Sequence, residues 1–182
     1  MTSVLSRTAV ALTLSMLAIG LAACGTPPTA TDLVAQGLKA QLAGDTSTAE
    51  TTYRQAIKLD PNNAVAHYDL GTVYDHQSST AQAVKEYTAT LVIDPTFADA
   101  LFNLAVDTAS TDSSGAEKLY LRVLALQPGF ADAWLNLGFI VRARGDPATA
   151  RSDWAKAVAL DALLASHVPS LAPTVIASTP KP

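Results

Sequence analysis

The chain has 182 residues, 49% of them apolar and 15% charged, with a formal charge of −4. That balance fits a folded domain and excludes a disordered, highly charged chain. With no run of Lys or Arg it also argues against nucleic acid as a partner. A single cysteine, Cys24, excludes an internal disulfide, a two-cysteine redox pair and a thiolate metal cluster.

Residues 1–23 read as an export signal. Arg7 supplies positive charge near the start, and Thr8 to Ala23 is a charge-free, largely apolar stretch ending in small side chains. A spanning helix needs about 20 apolar residues, so this stretch is short for a permanent anchor. The tetrad Leu21-Ala22-Ala23-Cys24 that closes it resembles the lipobox of bacterial lipoproteins. The resemblance implies cleavage before Cys24, a diacylglyceryl group on its thiol and further acylation, such as palmitate, on its amine. It places the protein on the extracytoplasmic side of a bacterial cell membrane or outer membrane. Gly25 follows the cysteine, so the Asp of the inner-membrane retention signal is missing. Two or three acyl chains anchor stably, since each buried methylene contributes about 0.8 kcal/mol. Residues 24–30 then form the lipidated cysteine and a short linker of about 20 Å at most, which keeps the following domain near the lipid.

From Thr31 the chain repeats. Tyr53, Tyr87, Tyr120 and Trp154 recur at spacings of 34, 33 and 34 residues, each four residues after an alanine: Ala49, Ala83, Ala116 and Ala150. Pro61, Pro95 and Pro128 follow the first three aromatics by eight. A register repeated four times predicts a stack of four like units. Gly37, Gly71 and Gly138 fall inside predicted helices, where Gly costs about 1 kcal/mol against Ala. That loss is expected to let a partner helix approach closely, with the alanines facing the contact. The aromatic one turn later is expected to fill the gap between neighbouring units.

Turn chemistry agrees with this division. Gly44-Asp45 and Gly145-Asp146-Pro147 predict turns in which Asp caps the next helix, with Pro147 at its first position. Ser79 and Ser113 are the expected caps in the middle units. Asp60, Asp94 and Asp161 are evenly spaced acids, but their place beside helix ends predicts a structural role. The third unit departs most, with Ala105 in place of Gly, Thr108 in place of Tyr and an inter-helix turn one residue short. It is expected to be the least stable hairpin. Ala162 replaces the next proline, so the last helix is expected to continue towards His167 and stop at Pro169. Residues 169–182 read as an apolar, proline-containing tail, partly disordered.

Trp134, Leu137 and Gly138, followed by Ala150, Trp154 and Ala157, resemble the tetratricopeptide repeat. So do Leu70, Gly71, Tyr74, Ala83, Tyr87 and Pro95, and less fully Gly37, Ala49, Tyr53, Ala56 and Pro61. The resemblance implies an all-α, right-handed α-solenoid of four helical hairpins, in units of about 31–63, 64–97, 98–130 and 131–168. It also implies a concave groove lined by the first helix of each unit. The matching stripe is Val34, Leu38 and Gln41; then Tyr68, Thr72 and Asp75; then Phe102 and Val106; then Leu135, Phe139 and Arg142. Spacings of three and four put each set on one helical face. The stripe is largely apolar and lacks the paired Lys and Asn with which some relatives clamp a carboxylate. It is expected to bind an apolar peptide or amphipathic helix of a protein partner.

No enzymatic constellation stands out. His67, His76 and His167 lack metal-ligand spacing, and His67 takes the place of a bulky packing residue. No nucleophile elbow or phosphate-cradling glycine loop occurs, and no cofactor or metal is called for. The reading is a membrane-tethered, non-enzymatic interaction scaffold of the bacterial cell envelope. The resemblance implies a role in assembling secretins or pili, or in bringing peptidoglycan hydrolases and proteases together. The alternatives are a self-associating structural lipoprotein (a homo-oligomer) and a carrier of a small apolar ligand.

Overall fold

The computed structural model describes residues 27–169. The export signal, Cys24 and the tail beyond Pro169 lie outside that range. The described residues form eight helices: α1 (Ala30–Leu42), α2 (Thr46–Leu59), α3 (Ala64–His76), α4 (Thr80–Ile93), α5 (Ala98–Thr108), α6 (Ser113–Leu126), α7 (Ala131–Ala143) and α8 (Pro147–Leu160). A 3₁₀ turn, Ala162–Ser166, follows. The helices pair as the hairpins α1–α2, α3–α4, α5–α6 and α7–α8, stacked through α2 on α3, α4 on α5 and α6 on α7. The result is an all-helical solenoid. Among the described residues no helix is long and apolar enough to cross a membrane.

The hairpins close on the small residues. Ala49, Ala83, Ala116 and Ala150 are completely buried. Tyr53, Tyr87 and Trp154 lie directly on Gly37, Gly71 and Gly138 of their own hairpins. The aromatic ladder therefore packs within hairpins and also joins one unit to the next: Tyr53 shares a core cluster with Leu70 and Val73, Tyr120 with Leu137 and Val141, and the Tyr87 hydroxyl reaches Asn103. The reason is geometric: a glycine in the first helix leaves a flat patch that accepts a ring face.

Local chemistry sets the helix ends. Thr29 and Asp32 form a reciprocal capping box at α1. Asp45 and Asp146 cap α2 and α8 by accepting the N–H of Thr48 and Thr149, both at 3.0 Å. In the middle hairpins the expected caps shift. Ser79 makes no side-chain cap bond to α4, and α6 is capped by Asp112, not Ser113, through the N–H of Gly115 at 2.8 Å. The turns of hairpins one, two and four carry one left-handed residue each: Gly44, Ser78 and Gly145.

Hairpin three has no left-handed turn residue. The missing residue shortens the helix, not the turn: α5 has 11 residues where the other first helices have 13, and four residues, 109–112, then connect it to α6. Thr108 Oγ1 donates to the carbonyl of Leu104 at 2.6 Å, and the Asp112 N–H bonds the Thr108 carbonyl at 2.7 Å. Those bonds end the helix early.

Asp60, Asp94 and Asp161 are the helix stops. Each accepts through Oδ1 the N–H two residues on, from Asn62 at 3.1 Å, Thr96 at 2.9 Å and Leu163 at 2.9 Å. The same turn at Asp161 ends α8 at Leu160, so the last helix does not run on towards His167. Beyond it Leu164 is buried while Leu163 is 81% exposed.

His67 does the work of a tryptophan. Its Nε2 sits 3.3 Å from the Pro61 carbonyl, as the Trp134 Nε1–H donates to the Pro128 carbonyl at 2.9 Å. Its Nδ1 faces Glu86 Oε2 at 2.7 Å, a side chain mostly buried between α3 and α4.

Candidate functional site

The first helices lie side by side, so their stripe residues meet across hairpins. Gln41 Nε2 donates to Thr72 Oγ1 at 3.1 Å, and Gln41 Oε1 accepts the Tyr53 hydroxyl at 2.9 Å. Asp75 accepts the Tyr87 hydroxyl, whose oxygen in turn accepts Asn103 Nδ2 at 3.2 Å. This polar spine ties α1 to α3 and α3 to α5.

The aromatic stripe residues are held by other rings. Tyr68 stacks on Phe97 with centroids 4.8 Å apart, and Phe102 stacks on Phe130 at the same separation. Phe102 also meets Tyr120 edge-on at 5.7 Å. Phe97 and Phe130 are the N-cap residues of α5 and α7, where no side-chain cap bond forms. The sequence reading passed them over, although the tetrad Phe-Ala-Asp-Ala occurs at 97–100 and again at 130–133. With these partners Tyr68 and Phe102 are half-buried.

The rest of the stripe divides. Val34 packs partly into the core, and Leu135 is 8% exposed with its carbonyl accepting Trp154 Nε1–H at 3.1 Å, so it faces inward. Leu38, Val106 and Phe139 are exposed by 46%, 47% and 40%. Arg142 lies over the Trp154 ring, 5.7 Å from its centroid. Between hairpins three and four a depression of about 200 Å³ is lined by Val106, Ala109, Tyr120, Asn136, Phe139 and Ile140. It adjoins a second depression of about 480 Å³ that shares Ala109, Phe139 and Ile140 and ends at Glu117 and Arg144, themselves ion-paired. The small Ala109, where Gln41 and Asp75 stand in earlier hairpins, leaves this space. A comparable depression of about 440 Å³ at Arg54, Tyr74, His67 and Glu86 has its polar groups bonded to one another.

Mid-groove is less apolar than the stripe alone implies. Burial pushes the Asp69 carboxyl up to about 6. Burial, then the charge of Asp75 and a hydrogen bond with it, push Asp107 up to about 6 as well. Asp107 Oδ2 is buried and without a hydrogen-bond partner. A raised carboxyl contributes stability in full below its ordinary 3.8 and loses it as pH rises through about 6. Asp107→Asn is therefore expected to raise stability at pH 7.5 by about 1 kcal/mol, discounted for partial exposure. Urea midpoints of the two proteins should converge at pH 4; a less stable variant at pH 7.5 would contradict the assignment. No group of three His, Cys, Asp or Glu among the described residues is arranged to hold a metal ion.

Two family models match: "TPR repeat" over residues 43–78 and "tetratricopeptide repeat" over residues 109–170. Among curated proteins no sequence matches significantly. The structure is similar to the crystal structure of MamA, with TM-score 0.68 and 21% identity over 78% of this chain and 83% of that one. It is also similar to pilF of Pseudomonas aeruginosa, with TM-score 0.64 and 25% identity over 73% of this chain and 61% of that one. The first TPR of Spaghetti (RPAP3), bound to the HSP90 peptide SRMEEVD, matches with TM-score 0.61 and 24% identity over 64% of this chain and 93% of that one. Four hairpins with Gly or Ala under each aromatic, and family matches in both halves, lead to one conclusion: this chain carries tetratricopeptide repeats, stacked as an all-helical solenoid.

Proposed function

We propose that this protein is a membrane-tethered adaptor that holds a segment of a partner protein along the line of its first helices. The observation that carries the reading is the pair of exposed apolar side chains Val106 and Phe139 lining an open depression between hairpins three and four, with Leu38 exposed on α1. Isolated exposed apolar residues need no explanation, but a pair of them lining one depression does. Tetratricopeptide repeats support the interaction role, and a solved domain of the same fold is bound to a peptide. The lipobox-like Leu21-Ala22-Ala23-Cys24 supports a tether at Cys24 and, with it, a place in a bacterial envelope.

The stacking of Phe102 on Phe130 decides how to test it. A charge at Phe102 would disturb the core, whereas Val106 and Phe139 are accessible. Val106→Glu with Phe139→Glu is expected to abolish partner capture from envelope extracts, with helicity and melting temperature within a few degrees of wild type. Undiminished capture would refute the groove. For the anchor, radiolabelled palmitate should enter the wild-type chain and not Cys24→Ser; equal labelling would remove the tether.

A further inference from the structure

Among the described residues, three hairpins receive a further helix on their open side and the fourth does not. α3, α5 and α7 bring Leu70 and Val73 to Tyr53, Asn103 to the Tyr87 hydroxyl, and Leu137 and Val141 to Tyr120. On hairpin four the same seat holds the 3₁₀ turn and the residues after it. Leu164 is buried there and Val168 packs on the same core. Pro169 meets Arg142, Pro147, Arg151 and Trp154 around a depression of about 140 Å³. The chain thus turns at Asp161, where α8 ends, and climbs back towards Pro147, where α8 begins. That is the direction a further first helix would take.

Pro169 stands beside the last turn of α7, with Arg142 as its neighbour. Across α7 lie the two depressions between hairpins three and four, lined in common by Ala109, Phe139 and Ile140. Phe139 also rests on Trp154, with ring centroids 5.2 Å apart. About one helix width, on the order of 10 Å, therefore separates Pro169 from open apolar space.

The sequence after Pro169 suits that space. Residues 170–180 carry no charge. The rim of the larger depression, Glu117 with Arg144, is paired within itself and calls for no counter-charge. Pro173 and Pro180 disfavour a helix. In an extended chain residues 171, 173 and 175 share one face, and here they are Leu, Pro and Val. At about 3.3 Å per residue, Val175 reaches about 20 Å from Pro169, enough to cross α7.

We propose that residues 170–175 cross the last turn of α7 and set Val175 into the depression beside Phe139, so that the chain occupies its own groove. The contact rests on this geometry; the competition that follows from it rests on the adaptor reading above. A tethered segment meets its site at an effective concentration on the order of 1 mM. An intrinsic dissociation constant of about 0.1 mM then fills the groove about nine-tenths of the time and weakens a competing partner about tenfold. A partner segment must displace the chain's own.

The test keeps the full-length chain, in nonionic detergent. A photoreactive benzophenone side chain placed at Val175 is expected to give intramolecular adducts around Val106, Phe139 and Ile140, mapped by mass spectrometry. In a second measurement, a fluorescent synthetic peptide of residues 170–182 should bind Val175→Glu about tenfold more tightly than wild type, whose groove is already filled. Adding Phe139→Glu should abolish that gain. Adducts absent from those residues, or equal peptide binding by wild type and Val175→Glu, overturn the inference and leave the adaptor reading standing. That reading falls instead if Val106→Glu with Phe139→Glu leaves partner capture undiminished. Adducts formed only between two molecules also overturn the inference, because a second copy then fills the groove.

Discussion

Replacing Trp154 with alanine is expected to cost about 3–5 kcal/mol, the usual range for removing a large buried aromatic. The ring is 3% exposed, lies on Gly138, donates its Nε1–H to the Leu135 carbonyl and supports Phe139 at 5.2 Å. Removing it leaves a cavity and an unsupported groove residue. The loss falls on α7–α8, which among the described residues has a neighbouring hairpin on one side only. In a solenoid each unit is stabilised by its own contacts and those of its neighbours, so α7–α8 should open before the rest. Hydrogen exchange resolved by segment is the fitting measurement. Protection should collapse across 131–160 and fall less at α1–α4; a uniform decrease, or a loss below about 1 kcal/mol, would contradict this account.

Gly71→Ala is expected to cost about 1–3 kcal/mol, although alanine is the better helix former. A Cβ there would lie 2.6 Å from Tyr87 Cε1 and 2.8 Å from Cδ1. The ring has no room to retreat, since it is fully buried and its hydroxyl is tied to Asp75 and Asn103. Hairpin three makes the contrast within the same molecule. There the position holds Ala105, so Tyr120 already packs with space for a methyl group. Ala105→Gly should not gain what Gly71→Ala loses; it should cost about 1 kcal/mol in helix propensity. Denaturant midpoints of the two variants test the pair. Stabilisation by Gly71→Ala would mean that Tyr87 shifts freely, and the pinning by Asp75 would be wrong.

The four-unit register was legible because its causes are local. Alanine, aromatic and proline at fixed intervals record where helices touch, turn and stop, and Asp before or after a helix bonds backbone within two or three residues. The direction in which an aromatic packs is not local. Tyr53 faces Gly37 and Tyr87 faces Gly71 because of how two helices cross, and spacing along the chain is the same for either partner. The missing proline after Asp161 suggests that α8 continues, whereas the Asp161 side chain suffices to stop the helix.

The groove shows the same division. Helical period selected the stripe, but the tertiary structure decided which members remain accessible: Leu135 turns into the core, while Phe97 and Phe130 arrive from the next hairpin to cover Tyr68 and Phe102. Asp107 lay off the stripe and joined the site only through the meeting of α3 and α5. The sequence by itself therefore determined the repeat, its all-helical fold and most of its caps, all set by contacts within a few residues or within one period. Only the packing of hairpin on hairpin decided which side chains face a partner and what charge they present. Exposure and unmatched charge are properties of surfaces brought together from distant parts of the chain, and no periodicity encodes them.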